Sequence, residues 1–110
     1  MEATSRNDDE LLRFADRARD AGDLAGAAGL YQRAALGGSA EAYAELGFIL
    51  HGMGDSAYAE TAFQRAAEGG HGLGWYGLGL LRTEAGDAEQ ADLLYRRAAE
   101  AGHAGRLADV

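Results

Sequence analysis

The sequence contains no cysteine, no proline and no lysine. Without cysteine there is no disulfide framework and no thiolate metal site. Missing proline beside 17 glycines fits a chain of short helices whose turns are made by glycine. With no lysine, all ten basic residues are arginine, set against 18 acids for a net charge of −8. Such a chain repels phosphate, so generic nucleic-acid binding and docking on anionic membranes are not expected. No apolar run is long enough to predict a membrane span. The opening residues, Met-Glu-Ala-Thr-Ser-Arg-Asn-Asp-Asp-Glu, lack an apolar stretch, so no signal peptide is expected and a cytoplasmic location is the default. Disorder is not expected either, because 47% of the residues are hydrophobic and they are regularly placed.

What is present is a repeat. Gly22–Ser39 reads GDLAGAAGLYQRAALGGS, Gly54–His71 reads GDSAYAETAFQRAAEGGH, and Gly86–His103 reads GDAEQADLLYRRAAEAGH, each 32 residues after the last. Self-similarity at a fixed period in this range is the signature of a solenoid, and it outranks any local motif. A length of 110 residues fits one such domain, with repeats at about 8–39, 40–71 and 72–103.

Helical periodicity fills each repeat. Residues 1–6 are polar and expected to be loose. Asn7, with Glu10 three residues on, has the form of a capping box that opens a helix carrying Leu11, Leu12, Phe14, Ala15 and Ala18. Asp23, Ser39, Asp55 and Asp87 are predicted N-caps, the last with Gln90 as a second capping box. Gly69-Gly70-His71 turns into a fifth helix. No segment shows sustained strand alternation, so the expected fold is all-α.

Aligning the repeats gives columns with a packing logic. Leu11, Tyr43 and Trp75 share one position, and Phe14, Leu46 and Leu78 another, beside a small-residue column of Ala15, Gly47 and Gly79. On the second helix, Ala27, Ala59 and Ala91 are small partners and Tyr31, Phe63 and Tyr95 large plugs. Large against small is how paired helices fill space. Gly47→Leu is therefore expected to overpack the pair by about 1–3 kcal/mol.

These columns, aromatic or Leu-x-x-Leu-Gly followed by Gly-Asp-x-x-x-Ala-x-x-x-Phe/Tyr-x-x-Ala, resemble the tetratricopeptide repeat. Tyr43, Leu46, Gly47, Gly54, Asp55, Ala59, Phe63 and Ala66 carry the pattern in the middle copy. Trp75, Leu78, Gly79, Gly86, Asp87, Ala91, Tyr95 and Ala98 carry it in the third. The first copy is weaker in its first helix, where Leu11, Phe14 and Ala15 stand in. The ending Ala98-Ala99-Glu100-Ala101-Gly102-His103 is similar to the related Sel-like repeats. Two departures stand out. The period of 32 is shorter than the family's ~34 and the inter-repeat proline is missing, which predicts a shorter connection. Leu107 and Val110 also continue the Trp75 and Leu78 columns, so a fourth helix pair begins within 104–110, either truncated or capping.

The resemblance implies an α-solenoid of antiparallel helix pairs whose concave face, lined by the first helix of each repeat, binds a peptide or helix of a partner. The groove would include Leu12, Arg13, Asp16, Glu41, Ala44, Glu45, Phe48, His51, Leu73, Tyr76, Leu80 and Thr83. Phe48, Tyr76 and Leu80 are apolar off the packing stripe, and Phe48→Ala is expected to weaken binding while leaving stability nearly intact. The family's clamp for C-terminal carboxylates uses Lys, Asn and Arg on this face; with no Lys and Asn7 as the one Asn, that subtype is not expected. Asp16, Glu41 and Glu45 either favour a ligand with basic groups around an apolar core or form solvated acidic faces.

Other motifs have plainer readings. Gly72-Leu-Gly74-Trp-Tyr-Gly77 matches G-x-G-x-x-G but lacks the preceding strand a dinucleotide site needs, so no cofactor is expected. Within a helix, Gly72, Gly74 and Gly77 each cost about 1 kcal/mol relative to Ala, and the columns offer a packing reason only for Gly79. His51, His71 and His103 are read as turn or face residues rather than metal ligands. Arg33, Arg65 and Arg97 are read as an outer face pairing with helix acids, with an anion-binding row as the alternative. No nucleophile or acid–base set converges, so no catalysis is expected. The function expected is protein–protein interaction; the alternative is a self-associating unit that pairs through its open C-terminal face, at Leu107, Val110 and the sixth helix.

Overall fold

The repeat unit of the structure is half the repeat unit of the sequence. The computed structural model describes residues 2–102, with side chains from Asp9 onward. Six helices follow one another: α1 (Glu2–Asp20), α2 (Leu24–Leu36), α3 (Ala40–Gly52), α4 (Ser56–Glu68), α5 (Gly72–Glu84) and α6 (Ala88–Glu100). Helices α2 to α6 each have 13 residues, about 20 Å of helix. Every connection, within a repeat or between repeats, is the same three-residue turn.

One turn shows how the sequence builds it. At the end of α3 the Gly54 N–H donates to the His51 carbonyl (3.0 Å) and the Asp55 N–H to the Leu50 carbonyl (2.8 Å). This is a Schellman closure, and it needs a left-handed residue at its corner. Gly54 supplies it at φ 86°, a value costly for any side chain. Asp55 then caps α4 by accepting from the Tyr58 N–H. The pattern recurs at each turn in register, with Asp23, Ser39, His71 and Asp87 in the capping place. The Gln90 capping box is thus only half made. Asp87 accepts from the Gln90 N–H, but its own N–H is taken by the Arg82 carbonyl.

The sequence pattern opens the first helix at Asn7, and the structure corrects this. Helix α1 begins at Glu2, and Asn7 lies within it. Residues 2–20 contain neither glycine nor proline, so nothing interrupts the helix N-terminal to the apolar stripe.

Helices pack as neighbours in chain order, α1 on α2, α3 on α4, α5 on α6, with α2 on α3 and α4 on α5 between pairs. Helix α3 also touches α5, so the first helices of successive pairs form one layer. Among the described residues there is no strand. The fold is an all-α solenoid.

Its core is mostly alanine. Ala15, Ala27, Ala34, Ala42, Ala59 and Ala66 have no exposed surface, and the largest fully buried side chains are Tyr31 and Phe63. Small residues let helices approach closely around these two rings. A Cβ on Gly47 would lie 2.6 Å from the Phe63 ring, and one on Gly79 2.7 Å from Tyr95, as the small-against-large columns predict. Gly74 and Gly77 have packing reasons too, contrary to the sequence reading. A Cβ on Gly77 would meet Phe63 at 2.2 Å, and one on Gly74 would meet the Ala67 backbone nitrogen at 2.4 Å. These glycines are where α5 touches α4.

The ends of the array differ from its middle. Phe14 is 54% exposed while its column partner Leu78 is 8% exposed, because among the described residues no helix precedes α1. On α4 the face receiving α5 buries Ala62, Phe63, Ala66 and Ala67. The same face of α6 leaves Leu94 and Tyr95 half-buried and Ala99 exposed. His103, Leu107 and Val110, and the helix expected over 104–110, lie outside the described residues.

Candidate functional site

The layer formed by α1, α3 and α5 borders a cleft of about 520 Å³, lined by Asp16 and Arg19 of α1, Glu41 and Glu45 of α3, Gly70 to Leu73 at the start of α5, and Ala101-Gly102. Four of the predicted groove residues, Asp16, Glu41, Glu45 and Leu73, meet here. The cleft is dominated by carboxylates, and its one cation is Arg19.

A single polar network organises the charged wall. The Tyr31 hydroxyl donates to Asp16 Oδ1, and Arg19 Nη1 donates to Glu45 Oε2, tying α1 to both α2 and α3. Arg19 also lies 3.8 Å from Asp16 and 3.5 Å from Asp20. Burial pushes the Glu45 carboxyl above its ordinary value, and the charge of Arg19 opposes that shift. Burial likewise raises the Tyr31 hydroxyl, reinforced by its bond to Asp16.

An aromatic row runs through α3, α4, α5 and α6, outside the cleft lining. Phe48 meets Phe63 edge-on at 4.9 Å and Tyr76 at 6.4 Å, and Tyr76 meets Tyr95 at 5.5 Å. All but the buried Phe63 are half-buried, so each offers an edge to solvent. Phe48 is therefore a packing residue as well as a surface one, which the sequence reading did not anticipate. Leu80 is half-buried on the same helix as Tyr76. His51 Nε2 pairs with Glu84 Oε1 at 2.7 Å, across from α3 to α5. The Thr83 hydroxyl donates to the Gly79 carbonyl and lies 3.0 Å from the Tyr95 hydroxyl.

The remaining predicted groove residues are placed elsewhere. Ala44 has no exposed surface and can touch no ligand. Leu12 packs against the core of the first pair. Arg13 is exposed and borders a separate hollow with Glu10, Phe14 and Arg17. Conversely, Arg19 and His71 line the cleft without having been singled out for it. Arg19 shares its column with His51 and Thr83, 32 and 64 residues on, so the repeat register itself carried the signal.

Arg97 corrects the reading of the outer arginine column. Its guanidinium lies 5.2 Å above the Trp75 ring, a cation–π contact rather than an acid pair. Arg33, Arg65 and Arg97 each occupy the last turn of their helix, where a positive charge complements the helix dipole. Among the described residues, no group of three or more His, Cys, Asp or Glu is placed to hold a metal ion. No helix there is long and apolar enough to cross a membrane.

No protein-family model and no curated protein matches the sequence. Among solved structures, the crystal structure of MamA, a tetratricopeptide-like solenoid, superposes with a TM-score of 0.75 at 20% identity. The match covers 94% of this chain and 61% of the MamA chain. At that identity the likeness is one of fold. The fold is tetratricopeptide-like.

Proposed function

We propose that this array is a non-catalytic protein-interaction module that docks a peptide or helix of a partner in its concave cleft. One observation supports the reading above others: the carboxylates of the cleft and two half-buried rings, Phe48 and Tyr76, are carried by one layer of helices. A preformed surface of that kind takes up a segment by laying apolar anchors on the rings and basic groups on the carboxylates. The ligand favoured is a segment with basic side chains next to apolar or aromatic ones. Residues 1–110 are taken as one repeat domain working in the cytoplasm, and the ending of the third repeat, Ala98 to His103, supports a Sel-like kind.

Selection from a random peptide library against the immobilised protein tests this. Enriched peptides should combine Arg or Lys with Leu, Phe or Trp and should lose affinity on Glu41→Arg. They should be indifferent to Arg65→Glu on the outer face. Peptides sensitive to Arg65→Glu and not to Glu41→Arg would move the site off the cleft.

A second reading has its own observation. The α6 face that corresponds to the buried face of α4 is left partly open at Leu94, Tyr95 and Ala99, which favours self-association through that end. Light scattering across concentration separates the two. The module reading expects a monomer throughout.

A further inference from the structure

The acidic wall of the cleft already holds a guanidinium. Arg19 comes from the last turn of α1 and reaches over to Glu45 on α3, with Asp16 and Asp20 of its own helix beside it. Its side chain is 36% exposed and forms part of the cleft lining, not a layer beneath it. A ligand entering the cleft meets this pair directly. Burial also raises the Glu45 carboxyl, so its charged form is favoured by a cation beside it, and a cation is the preferred replacement for Arg19.

We propose that Arg19 is a built-in occupant of the partner's arginine seat. On this view the free protein is self-inhibited, and a docking arginine enters by displacing the Arg19 guanidinium from Glu45 and Asp16. The proposal rests on the cleft being the docking site. It goes beyond that by naming the seat, the ligand group and the competitor. Exchanging one guanidinium for another keeps Glu45 paired throughout. A planar fork matches a carboxylate bidentately where an ammonium does not, so arginine is favoured over lysine. The displaced Arg19, on a long flexible stem, retains Asp20 on its own exposed edge of α1 as a resting partner.

The test needs no knowledge of the partner. Isotope-labelled protein is titrated with arginine amide at constant ionic strength, with citrulline amide, whose side chain is uncharged, as the control, and amide shifts are followed by NMR. An Arg19 seated about nine-tenths of the time lowers apparent affinity about tenfold. Arg19→Gln should therefore bind arginine amide about tenfold more tightly than the wild type, with shifts centred on Asp16, Glu41, Glu45 and Leu73. Citrulline amide should shift neither protein, and adding Glu45→Gln should abolish the gain. Equal affinity in the two proteins, or saturable binding in neither, overturns the proposal. Should Arg19→Gln fail to fold, Arg19→Lys is the substitute; it should show a smaller gain of the same sign, and no gain contradicts the proposal equally. Library peptides that bind wild type and Arg19→Gln alike would refute self-occupancy while leaving the cleft as the docking site. Peptides that ignore Glu41→Arg would refute the cleft itself.

Discussion

Gly77→Ala is the substitution on which intrinsic helix propensity and packing disagree most sharply. Gly77 lies inside α5, where alanine is better than glycine by about 1 kcal/mol. The new methyl, however, would sit 2.2 Å from Phe63 Cδ1, 2.3 Å from Cε1 and 2.6 Å from Cγ. Carbon atoms pack at roughly 3.5–4.0 Å, so the ring must retreat by more than an ångström. It has little room to do so. Phe63 is fully buried, Gly47 of α3 lies against it, and Phe48 meets it edge-on at 4.9 Å. With three ring atoms overlapped, the cost belongs at the upper end of the overpacking range, about 3 kcal/mol. Set against the propensity gain of about 1 kcal/mol, the net loss should be near 2 kcal/mol.

Urea unfolding followed by circular dichroism measures this as a fall in midpoint at unchanged slope. A second arm assigns the loss to the ring. Phe63→Leu alone costs stability by opening a cavity, yet the double variant Gly77→Ala/Phe63→Leu should recover part of the sum, with a coupling of about 0.5–3 kcal/mol. A stabilised Gly77→Ala would refute the packing account, as would two substitutions that simply add.

Gly29→Ala is the matching control: it lies in α2, is exposed, and its Cβ would meet nothing within 4 Å, so the same urea assay should show a gain of about 0.5–1 kcal/mol. Phe48→Ala should lose about 1–3 kcal/mol, since it removes two aromatic contacts worth about 0.5–1.5 kcal/mol each; a midpoint equal to wild type would return Phe48 to a purely surface role. Tyr31→Phe bears on alkaline stability. The folded state holds the Tyr31 proton more tightly than the unfolded chain, so the stability it contributes is complete below the ordinary value of 10.0 and lost as pH rises above it. Urea midpoints across that window should decline less steeply in Tyr31→Phe, and an unchanged slope would contradict the buried hydroxyl.

How much of this was legible in the sequence depends on which physical scale set each feature. The capping residues Asp23, Ser39, Asp55 and Asp87 were legible, because capping is local chemistry between neighbours. The plugs Tyr31 and Phe63 and the small Gly47 were legible because the repeat lines them up. The sixteen-residue spacing of the turns was also present, as Gly22, Gly38, Gly54, Gly70, Gly86 and Gly102, but residue similarity between the two helices of a pair is too weak to reveal it. Gly74 and Gly77 were opaque for a different reason. Their constraint comes from α4 pressing on α5, an inter-repeat contact with no matching glycines in the previous repeat, where Ala42 and Glu45 stand. Ala44 illustrates the same limit in the groove. Helix α3 is enclosed by α2, α4 and α5, so less of its surface is free than a two-helix picture allows. Arg19 was within reach of the column argument, and its pairing with Glu45 was not, because that contact spans two repeats.

On the proposed reading a partner segment lies in the acidic cleft and extends onto the rings of Phe48 and Tyr76. The most direct measurement places a spin label on a library-selected peptide and reads paramagnetic broadening of the protein's amides by NMR. The account predicts broadening along Asp16, Glu41, Glu45, Leu73 and Tyr76, with the peptide's basic residue at the carboxylate end. Broadening confined to the outer helices, around Arg33 and Arg65, or to the exposed face of α6, would contradict it.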